Sequence, residues 1–150
     1  MANLQRMTTG RLGETLTHSG LITNDQLEEA LAGLKTSGLP LGEILVERGY
    51  VTERDVAQAM TTQFSLPYLS PKQYYTSSAV LKLVPLDVMR KHRLVPVDKM
   101  GDVLTLCIGG PVDPDVLEKI EKTTGCTVQV FVAMAADIKE TIEKFAAESA

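Results

Sequence analysis

The chain has no tryptophan, only three phenylalanines, two cysteines and two histidines among 150 residues. So few aromatics exclude stacking on an aromatic platform as the main way of holding a nucleobase. Cys107 and Cys126 lack a CxxC spacing and a neighbouring histidine, so they offer no metal site and define no disulfide, and both read as buried thiols. His18 and His92 have no acid or thiol at catalytic spacing, and no GxxxxGK[ST] loop occurs, so no enzyme constellation emerges and nucleotide hydrolysis is not expected of these residues. No apolar run approaches the roughly 20 residues of a membrane span, and the opening MANLQRMTTGRLGE lacks the apolar core of a signal peptide. A cytoplasmic location is expected. An excess of positive charge is also missing. Five basic and eight acidic residues fall in 1–70, and ten and eleven in 71–150, which makes duplex nucleic acid a poor partner.

What is present is 44% hydrophobic and 23% charged residues, the balance of an ordinary globular chain of one domain or two small ones. The first part carries an internal repeat. RLGETLTHSGLITNDQLEEALAGL at 11–34 aligns with PLGEILVERGYVTERDVAQAMTTQ at 40–63, an offset of 29 with seven identities in twenty-four positions. Chance would supply about one or two. The identities include Leu12 with Leu41, Gly13 with Gly42, Gly20 with Gly49 and Thr23 with Thr52. Each unit reads as helix, glycine stop, helix. Leu12 and Leu16 share a face one turn apart, and Gly20 stands where a left-handed residue ends a helix. Thr23 with Gln26 is a capping box, followed by Leu27, Ala30, Leu31 and Leu34 at helical spacing. Thr52 with Asp55 repeats that start less perfectly.

After residue 70 the pattern changes. Two short helices broken at Pro85, a hairpin turning at Met100–Asp102, a helix ending at Gly125, a strand over CTVQVFVA and a terminal amphipathic helix make an α/β unit with a three-stranded sheet. The expected fold class is therefore α+β. A helical pseudo-repeat subdomain spans 1–70, an α/β subdomain spans 71–150, and a short linker near Ser70–Lys72 leaves the halves packed together.

With its paired glycines and 24-5-24 spacing, the repeat resembles the MshEN domain, the N-terminal region of type II secretion and type IV pilus assembly ATPases, which also occurs as a stand-alone copy. The likeness extends through LPYL, PLDVMRKHRLVPV and LTLCIGGPVDP. It implies binding of the second messenger cyclic di-GMP along the surface of the two motifs, with no cofactor and no metal. Carried over by motif position, Arg11 meets a guanine while Leu12, Leu27 and Leu31 line the first half of the site. In the second copy Leu41, Val56 and Met60 supply the apolar contacts, Gln63 a polar edge contact, and Glu43 an acid that pairs with a guanine Watson–Crick edge. The chemistry is apt: a guanidinium fork suits O6 and N7, and a carboxylate suits the N1 and N2 donors. Gly13 and Gly42, near helix starts, would offer backbone N–H groups to phosphate.

Three positions depart from the pattern: Leu34 in place of the motif glutamine, Pro40 where a basic residue stands, and Gly110 in place of an aspartate. Each candidate also has a plainer reading. An apolar helical stripe is ordinarily core, Gln63 at a helix end is ordinarily solvated, and so is the run Arg90–Lys91–His92–Arg93. Two functions follow. One is a non-enzymatic cyclic di-GMP sensor that signals to a protein of a secretion, pilus or motility apparatus. The other is a protein-interaction adaptor that kept the fold and lost the nucleotide, docking through the apolar repeat face or the 90–93 cluster.

Overall fold

The computed structural model describes residues 9–73 and 76–149, so the first eight residues of the opening segment lie outside the described residues. The helical half comprises α1 (Thr9–His18), α2 (Asn24–Ser37), α3 (Leu41–Glu47) and α4 (Glu53–Phe64). Each unit of the repeat is stopped and restarted by the same local chemistry. Gly20 and Gly49 lie at φ +80° and +77°, a region that costs glycine little, and so close their helices. The amides of Leu21 and Tyr50 then reach back to the carbonyls of Leu16 and Leu45 at 3.2 and 3.0 Å, which satisfies helix-end acceptors. Both capping boxes are complete. At the second, the Asp55 carboxylate accepts the Thr52 amide at 2.9 Å, so the shorter acid reaches as well as Gln26 does in the first.

The two units interlock. α1 packs chiefly on α4, and α2 on α3, because one short hairpin cannot bury both of its apolar faces alone. Thr15 of α1 donates its hydroxyl to the Gln63 side chain of α4 at 2.6 Å, tying the first helix to the last.

The remaining elements are α5 (Ser78–Leu81), α6 (Leu86–His92), β1 (Leu94–Met100), β2 (Val103–Ile108), α7 (Pro114–Thr124), β3 (Thr127–Val132) and α8 (Ala135–Ser149). The sheet order is β1-β2-β3. β1 and β2 form an antiparallel hairpin with a bulge between Pro96 and Asp98, and β2 and β3 run parallel across α7. The sheet also recruits the linker. Pro67 accepts the Val132 amide at 2.8 Å and Leu69 donates back to the Val132 carbonyl at 2.9 Å, so the chain leaving α4 begins a further rung on the outer edge of β3.

One contiguous core runs from Leu12 through Leu45 and Met60 to Leu106, Ile138 and Phe145, so the packing continues across residue 70. Cys107 and Cys126 are both free and buried, and burial pushes the Cys107 thiol up to about 12. No helix among the described residues is long and apolar enough to cross a membrane.

Candidate functional site

Of the eleven residues singled out in the sequence, Gly13 and Gly42 are buried and Glu43 is partly buried, and the other eight fall into two groups. Leu12, Leu41, Val56 and Met60 are core residues, 0 to 6% exposed. Arg11 on α1 is exposed, Leu27 and Gln63 are partly buried, and Leu31 is 38% exposed. The repeat is thus symmetric in sequence but not in burial. Met60 is fully covered, while its counterpart Leu31 leaves an apolar side chain open beside Leu27 on α2. Leu34, one turn further on, packs partly against the core.

The paired glycines have a packing explanation that the sequence did not disclose. A Cβ on Gly13 would lie 2.9 Å from Leu27 Cδ1, and one on Gly42 would lie 2.9 Å from Val56 Cγ1. Both glycines therefore permit close contact between the two helices of their own unit. The expectation that both present free N–H groups needs correction for Gly13. It is the fifth residue of α1, beyond the four amides that lack an acceptor within a helix. Gly42 is the second residue of α3 and stays within the first turn, and Pro40 before it makes no side-chain cap.

Gly42, Glu43 and Val56 line a cleft of about 250 Å³ between the helical half and the α/β half. Its far wall is built from Gly109 after β2, Ala133, and Ala135 and Lys139 of α8. The wall is tightly closed at Gly109, since a Cβ there would lie 3.0 Å from the Ala135 backbone and the start of α8 would have to give by a few tenths of an ångström. Two carboxylates cross the cleft. Glu53 accepts the Ala136 amide at 2.8 Å and so caps α8 from the other half. Glu43 Oε2 accepts from Arg93 Nε at 2.6 Å, and Oε1 from Arg93 Nη2 at 3.4 Å. Arg11, Leu31 and Gln63 lie outside the lining of this cleft.

Arg93, Glu53, Gly109 and Lys139 were not singled out as site residues. Within the 90–93 run, read as a solvated cluster, Arg90 and Lys91 are exposed, while Arg90 and Arg93 make contacts within the fold. Arg90 forks onto Glu143 of α8 at 2.8 and 3.0 Å, and Arg93 holds Glu43 and the Arg90 carbonyl. Burial, joined by the Lys91 charge, pushes the His92 imidazole below its ordinary value, against an opposing pull from Asp113. No local signal could reveal these pairings, because their members lie 50 and 53 residues apart.

The sequence model of the MshEN domain matches residues 64–150, more than half of the chain. The chain belongs to the MshEN domain family. The helical repeat precedes the matched residues, yet the solved relatives extend across it. The N-terminal domain of XpsE superposes with a TM-score of 0.74 at 25% identity, covering 93% of this chain and 96% of that one. A structure of MshE with cdg gives a TM-score of 0.68 at 24% identity, covering 90% of this chain and 98% of that one, a likeness of fold. Among characterised sequences, the type IV pilus assembly ATPase PilB of Myxococcus xanthus is 31% identical over 140 residues. This MshEN chain spans only a quarter of that protein's length, while the alignment covers 93% of the chain itself.

Proposed function

We propose that this MshEN domain is a cytoplasmic, non-enzymatic sensor that binds cyclic di-GMP and passes the signal to a protein partner in a secretion, pilus or motility apparatus. The observation that carries this reading is the unequal burial of the repeat. The half-open Leu27 and Leu31 face leaves apolar surface for a purine, and the adjoining unit contributes Glu43 to a cleft between the halves. At about 250 Å³ the cleft is below the roughly 300–1,000 Å³ usual for a whole small-molecule ligand, so it suits one base-sized moiety with the rest of the ligand outside. The solved MshE relative, with cdg, supports this choice of ligand.

Calorimetric titration with cyclic di-GMP tests the reading. Arg11→Ala is expected to weaken binding by about five- to 150-fold, the worth of a good bidentate guanine contact at about 1–3 kcal/mol. Arg48→Ala serves as the comparison, because Arg48 pairs with Glu29 between α2 and α3 and has no assigned ligand role. Equal losses from the two substitutions would remove Arg11 from the site.

The adaptor reading is favoured by one observation, that Glu43 is already held by Arg93. The departures at Leu34 and Gly110 allow a direct comparison of the two readings. Gly110 does not have the positive φ that would make it irreplaceable, and a Cβ there meets nothing within 4 Å, so aspartate fits. Leu34→Gln combined with Gly110→Asp is expected to tighten cyclic di-GMP binding, each regained hydrogen bond contributing about 0.5–1.5 kcal/mol. Thermal unfolding measured alongside separates weaker packing at residue 34 from an effect on the ligand. A stably folded double variant that still does not bind would favour the adaptor.

A further inference from the structure

Six ion pairs occur among the described residues in the structure's salt-bridge geometry, and Glu43–Arg93 is the most enclosed, with side chains only 18% and 19% exposed. It is also the pair that joins α3 to the residue closing α6, at the edge of the cleft. Arg93 sits at φ +52°, a left-handed conformation uncommon for a residue with a side chain. Its backbone amide bonds to the Met89 carbonyl and its Nη1 donates to the Arg90 carbonyl. The guanidinium is thus held between Glu43 of α3 and the carbonyl of Arg90 at the end of α6.

We infer that Arg93 is an internal competitor for guanine at Glu43, so that ligand binding is coupled to release of the contact between the halves. The inference rests on the cyclic di-GMP reading. Its chemical basis is that the N1–C2–N2 edge of guanine is itself a guanidine fork. A carboxylate presents one face to which such a fork can bind through both oxygens at once, and Arg93 occupies that face, tightly at Oε2 and more loosely at Oε1. A guanine that takes both oxygens must displace Arg93, and the displaced cation becomes available to a phosphate of the same ligand. The exchange replaces a contact across the cleft by a contact to ligand, which alters how firmly α3 is held to α6. A ligand shifts such an equilibrium only through its differential affinity for the two arrangements, and Glu43 provides that difference.

Arg93→Gln removes the competing fork and leaves Glu43 in place. Calorimetric titration of the whole chain should then show cyclic di-GMP binding about tenfold tighter than in the parent, since an ion pair this enclosed exceeds the near-zero worth of a typical surface pair. Arg93→Asn provides a second variant, because asparagine tolerates the left-handed backbone and guards against a folding defect. Arg90→Gln, which removes a contact to Glu143 away from the cleft, should leave affinity unchanged. Hydrogen exchange without nucleotide should rise across α3 in both Arg93 variants and not in Arg90→Gln. Unchanged or weaker binding in the Arg93 variants, with the parent binding normally, would overturn the competitor role while leaving the sensor intact. Absence of binding in the parent and both variants would overturn the two together.

Discussion

Leu12→Ala is expected to lower the unfolding free energy by about 2–5 kcal/mol, the range for deleting a large aliphatic side chain from a packed core. Leu12 is fully buried at the start of the continuous core, so the substitution both reduces apolar burial and leaves a cavity that short helices fill poorly. Leu31→Ala removes the same atoms from a site 38% exposed, so the expected cost is below about 1 kcal/mol. Urea unfolding of the two variants measures the contrast. If Leu31→Ala proves as costly as Leu12→Ala, the face of α2 is not open in solution. The comparison also governs the reading of binding data: weaker affinity in Leu12→Ala reports unfolding, whereas weaker affinity in a stable Leu31→Ala reports contact with ligand.

The second large effect is expected at Gly42, and not at its repeat counterpart Gly13. Alanine gains about 1 kcal/mol of propensity over glycine in a helix interior, in full at Gly13 and in part at Gly42, which lies in a first turn. At Gly13 the new methyl meets the terminal methyls of Leu27, a flexible and partly buried side chain that can turn aside, so the net change should be near zero. At Gly42 it meets Val56 Cγ1 at 2.9 Å and Cγ2 at 3.5 Å. Valine is stiff about χ1, and this one is 6% exposed, so α3 and α4 have to separate. Gly42→Ala is expected to destabilise by about 1–3 kcal/mol after the propensity gain, and to disturb the cleft that both residues line. Thermal and urea unfolding of the two alanine variants would show it, and equal stabilities would mean that the Gly42 contact relaxes without cost.

The repeat, its helix boundaries and the three strands were legible in the sequence because their signals act over a few residues. Gly20 and Gly49 set a left-handed turn, Thr23 and Thr52 begin helices by accepting amides three residues ahead, and Pro85 stands before α6 because its ring ends what precedes it. These interactions are short in sequence, and the residues that make them are chemically distinctive. Motif position singled out Glu43, and the structure places that residue in the lining of the cleft.

Other features were not local. The same apolar stripe occurs in both units, yet Met60 is covered and Leu31 is not, because what lies over each helix is decided by the interlocking of α1 with α4 and by the α/β half. A glycine within a helix looks like a fault in propensity until the side chain it faces, Leu27 for Gly13 and Val56 for Gly42, is in place. Arg93 belongs to a run of four basic and imidazole side chains, and only folding brings Glu43, fifty residues away, to its guanidinium. The sequence by itself determined the order of elements, the repeat and the chemistry available, since capping, backbone dihedrals and hydrophobic period are properties of neighbouring residues. The tertiary structure decided which leucines are surface, which glycines are contacts and which charges are already paired, since burial and electrostatics depend on what distant parts of the chain bring within a few ångströms.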